Sequence, residues 1–248
     1  MISIIKLHIK QKLVLQRTYH EAYDLSGSSR RPKPIVFTLY RKCIAVKYNI
    51  KHIVQYEPIL KIRPDMAVTG RSKEAVERLG YMPIYEKENA FSHLHEYDQV
   101  AIVDSDIYIR STAPNIFEDL TSEYAFGALP CGKKYKSKIR KYSKAAFENI
   151  TDVDWKWNAL GAEFYNMGMM VINCQKFLPY LNGQTAEQFI RRPEFKDFVD
   201  GIGYRKWSTD QMLLNYWVKK EKIATLNMDW RWNGLFKGIE DNQIPKAY

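Results

Sequence analysis

Two carboxylates two residues apart, Asp104 and Asp106, stand directly after the most apolar short run of the chain, Gln99 to Val103 (QVAIV). In extended chain, side chains at i and i+2 point to the same side, so both carboxylates can converge on one hard divalent cation, with the small Ser105 leaving room between them. Left without a cation or hydrogen-bond donors, two such groups beside a core would repel each other and resist burial. The competing reading is an Asp turn that caps the following segment, since Asp-x-Asp is a short pattern. Its position favours the ion. In open α/β sheets, ligands collect beyond the carboxyl ends of strands, and this pair sits where a buried strand runs out.

The elements around the pair follow from spacing. QVAIV is nearly all apolar and does not alternate, as expected of a central parallel strand covered on both faces. Before it, PIVFTLY, RKCIAVKYN and IKHIVQYEPIL suggest a β-α-β opening, and Ser72 and Gly80 bound a helix over KEAVERL. A second amphipathic stretch places Ala90, Phe91, Leu94 and Tyr97 on one side, with Lys87 one turn earlier at the edge of that packed face. Beyond the pair, Pro114 fits a helix start. FYNMGMMVIN (164–173) is a second buried strand, interrupted near its start by Gly168. The stretch TAEQFIRRPEFKDFVDGIG breaks at Pro193, and WSTDQMLLNYWVKK is a capped helix. The alternation of strands and helices predicts one α/β domain over residues 1–248, with residues 1–34 not placed in it.

With 248 residues and 46% hydrophobic side chains, the chain can bury a full core. Lys6, Lys10 and Lys12 break the apolar opening before it could span a bilayer. Cys43, Cys131 and Cys174 show neither paired nor metal-ligand spacing, which suits thiols in a cytoplasmic compartment. The formal charge of +10 attracts anions, and seven of the 38 basic side chains crowd into Lys133 to Lys144 (KKYKSKIRKYSK). That run reads as a mobile loop that contacts an acceptor or an anionic membrane face, or as an ordinary solvated loop. Trp155, Trp157, Trp207, Trp230 and Trp232 could stack on sugars, although buried tryptophan is commoner.

Three blocks in order resemble the GT-A fold glycosyltransferases, especially the family 8 type that includes glycogenin and the lipooligosaccharide galactosyltransferases. KENAFSHLHEYDQVAIVDSDIYIRSTAPNIFEDL is similar to the Asp-x-Asp region of that family, FYNMGMMVIN to its Phe-Asn-x-Gly segment, and STDQMLLN to its Asp-Gln-x-x-Leu-Asn segment. The blocks and their connections cover about residues 85 to 233. The resemblance implies a mixed, mostly parallel central sheet flanked by helices, with Asp104 and Asp106 holding Mn²⁺ or Mg²⁺ and, with Ser105, the donor ribose. It implies Lys87 near the donor phosphates, Asn166 and Gly168 on the sugar and acceptor side, and Asp210 with Gln211 at the reacting centre. Each has a plainer reading: Lys87 as a solvated helix residue, one place out of the family's register; Asn166 and Gly168 as a kinked strand entry; and Gln211 as partner to Ser208 in a capping box.

The implied activity is transfer of a hexose from a UDP-sugar, UDP-glucose or UDP-galactose, to an unknown acceptor with retention of configuration. The family's late His-x-Gly metal ligand has no counterpart, because all five histidines (His8, His20, His52, His93 and His95) precede Asp104. A chain cut from a longer protein, or a coordination sphere filled by other oxygens, accounts for this. A non-catalytic nucleotide-sugar binder also fits the missing histidine. A basic nucleic-acid-binding protein would use the lysine run with Tyr135 and Tyr142, but leaves the acidic pair unexplained, so no nucleic-acid partner is expected.

Overall fold

The computed structural model describes residues 11–16, 59, 83–104, 113–131, 136–159, 161–200 and 210–233. The expected β-α-β opening, the KEAVERL helix, Ser105, Asp106, Trp207 and Ser208 lie outside these residues.

The architecture is mixed α/β. Strands β1 (Gln11–Gln16), β2 (Gln99–Asp104), β3 (Phe126–Pro130), β4 (Tyr165–Asn173) and β5 (Thr225–Asn227) form one sheet in the order β1-β2-β4-β3-β5. β1 runs parallel to β2, and β5 parallel to β3, whereas β4 is antiparallel to both of its neighbours. β1 falls within the stretch that the sequence left unplaced.

β2 is buried on both faces, as its unbroken apolar run requires. Val100 and Ile102 enter a large core shared with Phe126, Ala128, Met170 and Ile172. Ala101 and Val103 enter a smaller one on the other face with Leu129, Met169, Val171, Met228 and Trp232. The larger core is covered by a 3₁₀ helix over Pro83–Glu96, which buries Ala90, Phe91 and Leu94 on the side that their spacing indicates, with Tyr97 half-buried against the same core and Tyr85 buried as well. Helices α2 (Cys174–Leu181), α3 (Ala186–Ile190), α4 (Lys196–Asp200) and α5 (Asp210–Lys220) complete that layer. Asn173 caps α2 through the amide of Lys176, and Thr185 with Gln188 forms a capping box on α3. Pro193 separates α3 from α4 by a short 3₁₀ turn. After β2, a turn of 3₁₀ helix over Ile116–Glu118 is capped by Asn115 rather than led by Pro114.

The basic run is not a loop over its larger part. Helix α1 spans Lys136–Phe147, and only 132–135 fall outside the described residues. Lys and Arg are good helix formers, and Ser143, Ala146, Phe147 and Ile150 recur at helical spacing to give a buried stripe. Density of charge concealed this periodicity. Trp155 lies against α1, stacked on Phe147 at a centroid distance of 3.9 Å. Trp155 and Trp232 are thus core residues, while Trp157 is exposed. Cys131 and Cys174 are both free thiols.

Helix α5 is buried nearly all round, from Met212 through Val218. Within it, Asn215 has no solvent exposure. Its amide oxygen accepts from Tyr165 N at 2.7 Å, and its amide nitrogen donates to Tyr165 O and Gln211 O, both at 2.8 Å. One side chain thereby supplies the strand-like partner that the first residue of β4 needs, and fixes α5 against the sheet. Asn215→Ala is expected to leave both Tyr165 backbone groups without that partner and to cost about 2–3 kcal/mol, measured as a lower urea midpoint.

Candidate functional site

The residues singled out by spacing gather where β2 ends and β4 begins. Because β4 is antiparallel to β2, its first residues lie beside the last residues of β2; Val103 pairs with Met169. There β4 departs from regular pairing with β3. Ala128 faces Met170, but the next residue, Leu129, faces Asn166, so Met167, Gly168 and Met169 are looped between consecutive partners. A bulge of this kind bends the strand and re-aims its backbone groups. Gly168 marks the position, and Asn166 holds the turn by accepting from Gly168 N through its own side-chain oxygen at 3.1 Å.

The freed groups of the bulge are taken up by two other elements. Met167 O accepts from Lys87 Nζ at 2.9 Å, and Met167 N donates to Gln211 Oε1 at 3.2 Å. Asn166 Nδ2 donates to the same Gln211 oxygen at 3.1 Å. Gln211 therefore reaches across to β4 and does not turn back on its own helix start as a capping box would require. With its oxygen engaged twice, its amide nitrogen is oriented away from β4 as a donor.

Lys87 is the hub. It is 7% exposed, so the solvated-helix reading does not describe it. Its ammonium is in direct ionic contact with Asp210 Oδ2, although that oxygen lacks the alignment of a directed hydrogen bond. Asp104 Oδ1 lies 3.5 Å away on the other side. Burial would lower the lysine pKa, but Asp210 and Asp104 outweigh it and push the pKa up, so the ammonium keeps its proton. The Asp210 carboxyl is raised by burial and by the nearby charge of Asp104, with Lys87 pulling it back down.

Lys87, Asp104, Asn166, Gly168, Asp210 and Gln211 are thus linked in a single network of contacts, drawn from four separate elements. Ser105 and Asp106 fall outside the described residues. The Asp104 side chain retains 29% exposure, and its Oδ2 has no partner among the described residues. This hard oxygen at a strand mouth fits a divalent cation. No group of three or more His, Cys, Asp or Glu side chains suited to a metal occurs among the described residues.

Three participants have no role assigned from the sequence: Asn215 (the last residue of the STDQMLLN block), the carbonyl of Met167, and Glu88. A glutamate beside a lysine on an amphipathic stretch reads as solvated, yet Glu88 is 1% exposed, and neither carboxylate oxygen receives a hydrogen bond from a neighbour among the described residues. Burial first, then the charge of Asp210, raises its pKa well above 4.5, against the opposing pull of Lys87. The bulge itself agrees with the kinked strand entry that Gly168 and Asn166 indicate in the sequence.

No family model matches the chain, and no curated protein matches its sequence. Among solved structures, it is similar to an active-site mutant of LgtC at 17% identity and a TM-score of 0.39, covering 66% of this chain and 52% of that one. Mouse xyloside xylosyltransferase 1 is similar at 13% identity and a TM-score of 0.38, covering 67% and 56%. The bifunctional glycosyltransferase WbbM is similar at 14% identity and a TM-score of 0.36, covering 62% and 26%. The chain spans about half the length of the first two and about a quarter of the third. Likeness at this level says nothing of activity.

Because Glu88 holds its proton in the fold but loses it on unfolding, the native state binds more protons above the ordinary carboxyl pKa, and stability falls as pH rises. Glu88→Gln removes that penalty. The variant is expected to melt above the parent at neutral pH, with the gap closing as pH falls below about 4, where the carboxyl becomes protonated in both states. Melting curves across that range test the sign.

Proposed function

We propose that the chain is a metal-dependent glycosyltransferase of the GT-A type, which moves a hexose from a UDP-sugar, glucose or galactose, to an acceptor. The observation that carries this reading is the convergence of three sequence-distant blocks on one strand mouth, with Lys87 in contact with both Asp104 and Asp210. The blocks that resemble the family's motifs are also those that meet in space, which separate capping and packing roles would not require.

Asp104 and Asp106 would hold Mn²⁺ or Mg²⁺, with Ser105 beside them at the donor ribose. Such an ion neutralises the diphosphate as the bond to the sugar breaks. Lys87 supplies a fixed positive charge next to the same phosphates, desolvated and already oriented, so no reorganisation is needed as the leaving group gains charge. Asp210 is buried and committed to Lys87, which suits a positioning role better than attack on the sugar. Gln211, its oxygen tied to β4, presents its amide nitrogen to the sugar as a donor, while Asn166 and Gly168 shape the strand edge facing sugar and acceptor. The transfer is assigned as retaining through the family resemblance.

Titration with UDP and a panel of nucleotide sugars, with and without Mn²⁺, tests the proposal. Metal-dependent UDP binding and slow hydrolysis of one donor are expected, and Asp106→Asn should abolish both at unchanged melting temperature. Binding with no turnover of any donor would identify a non-catalytic nucleotide-sugar binder instead. Equal binding by the parent and Asp106→Asn would remove the assigned metal site.

A further inference from the structure

Among the described residues, Trp157 is the large hydrophobic side chain that stands out into solvent, at 47% exposure. Its neighbourhood is built to hold it there. Trp155, two residues earlier, is anchored in the core on Phe147, and Lys156 between them takes a left-handed backbone with φ 46°, unusual for a lysine. Asp154 Oδ1 accepts from Lys156 N at 3.1 Å, which fixes the turn that throws Trp157 outward. Reciprocal backbone bonds of 3.0 Å between Asn158 and Gly161 then close the loop.

The closed loop is pressed onto α1. Ala162 N donates to Ser143 Oγ at 3.1 Å, and a Cβ on Gly161, at φ 107°, would stand 2.9 Å from Arg140 Cα. The loop that carries the exposed indole is therefore packed on the basic helix at Arg140 and Ser143. Of the cations there, Lys144 is paired with Glu148 at 3.2 Å, whereas Arg140, Lys141 and Lys156 are exposed and have no ion-pair partner among the described residues. Asp154 and Glu163 are also exposed on this loop, but an aromatic ring with an apolar body and a polar N–H, carried next to a helix with unpaired exposed cations, matches the chemistry of an anionic bilayer surface, where indoles sit at headgroup depth and each basic residue adds attraction.

We propose that Trp157, with Arg140, Lys141 and Lys156, is a docking surface for an anionic lipid bilayer, the indole entering the headgroup region. This gives the basic run a role other than that of a mobile loop: Arg140 and Lys141 project from a helix, and the anchor lies on the neighbouring turn. A single-stranded nucleic acid would share the charge requirement, but its affinity comes from stacking successive bases on several aromatic platforms, and one exposed ring offers a single platform. The surface is independent of the sugar-transfer reading, since neither the indole nor these cations contact the Lys87 network in any described interaction.

Co-sedimentation of the full chain with phosphatidylserine-containing and pure phosphatidylcholine vesicles tests it, with an oligonucleotide titration alongside. Binding to the anionic vesicles only is expected. Trp157→Ala should weaken it about tenfold, as should Arg140→Gln with Lys141→Gln, at unchanged melting temperature. The proposal is overturned by absence of vesicle binding, by vesicle binding that Trp157→Ala leaves unchanged, or by oligonucleotide binding that loses affinity in these variants while vesicle binding does not. Nucleotide-sugar binding is measured separately and plays no part in the outcome.

Discussion

A lysine ammonium withdrawn from water is tolerable only if opposite charge and hydrogen-bond acceptors replace its hydration, and the organisation of this protein around Lys87 follows from that constraint. Asp210, Asp104 and the carbonyl of Met167 supply the replacement from three different elements. Removing one member of such a pair typically costs about 3–5 kcal/mol, because the other is left buried and uncompensated. An apolar cluster of equal volume would serve stability as well or better, so a buried charged network at a strand mouth is an expense that points to chemistry.

The sheet topology makes the network possible. An antiparallel β4 between β2 and β3 sets the entry of one strand against the exit of another, so residues as distant in sequence as Val103 and Met169 become neighbours. Its bulge releases one carbonyl and one amide from the ladder, and each finds a partner outside the sheet, Lys87 for the first and Gln211 for the second. Asn215, one turn beyond Gln211, ties the same strand entry to α5 and so fixes the angle at which Gln211 arrives. The contacts therefore meet at one corner of the sheet, with two side-chain amides on adjacent turns of one helix serving as its braces.

Much of this corner was legible because burial leaves a signature in residue order. QVAIV and FYNMGMMVIN carry no polar alternation, which marks strands covered on both sides, and Ala90, Phe91 and Leu94 mark a packed helical face. What stayed hidden were features that depend on contacts distant in sequence. β1 is short and sits among lysines and glutamines, so its pairing with β2 could not be read from its own residues. The solvated reading of Lys87 fails, and Glu88 gives no sign of burial, because local spacing does not reveal that the helix presses both inward. The basic stretch looked like a loop because its lysines drew attention from the apolar stripe that makes it a helix. Asp106 and Ser105 lie outside the described residues, so their part in the site rests on sequence alone.

The two sets of positive charge differ in what surrounds them, and this gives them different ranges. The Lys87 ammonium is buried against Asp210 and Asp104, where salt screens little, whereas Arg140, Lys141 and Lys156 face bulk solvent, where the field of an exposed charge decays within about 8 Å at physiological ionic strength. Added electrolyte thus attenuates the outer attraction while leaving the inner one nearly intact, so simple salt separates the protein's two electrostatic surfaces without any change in its sequence.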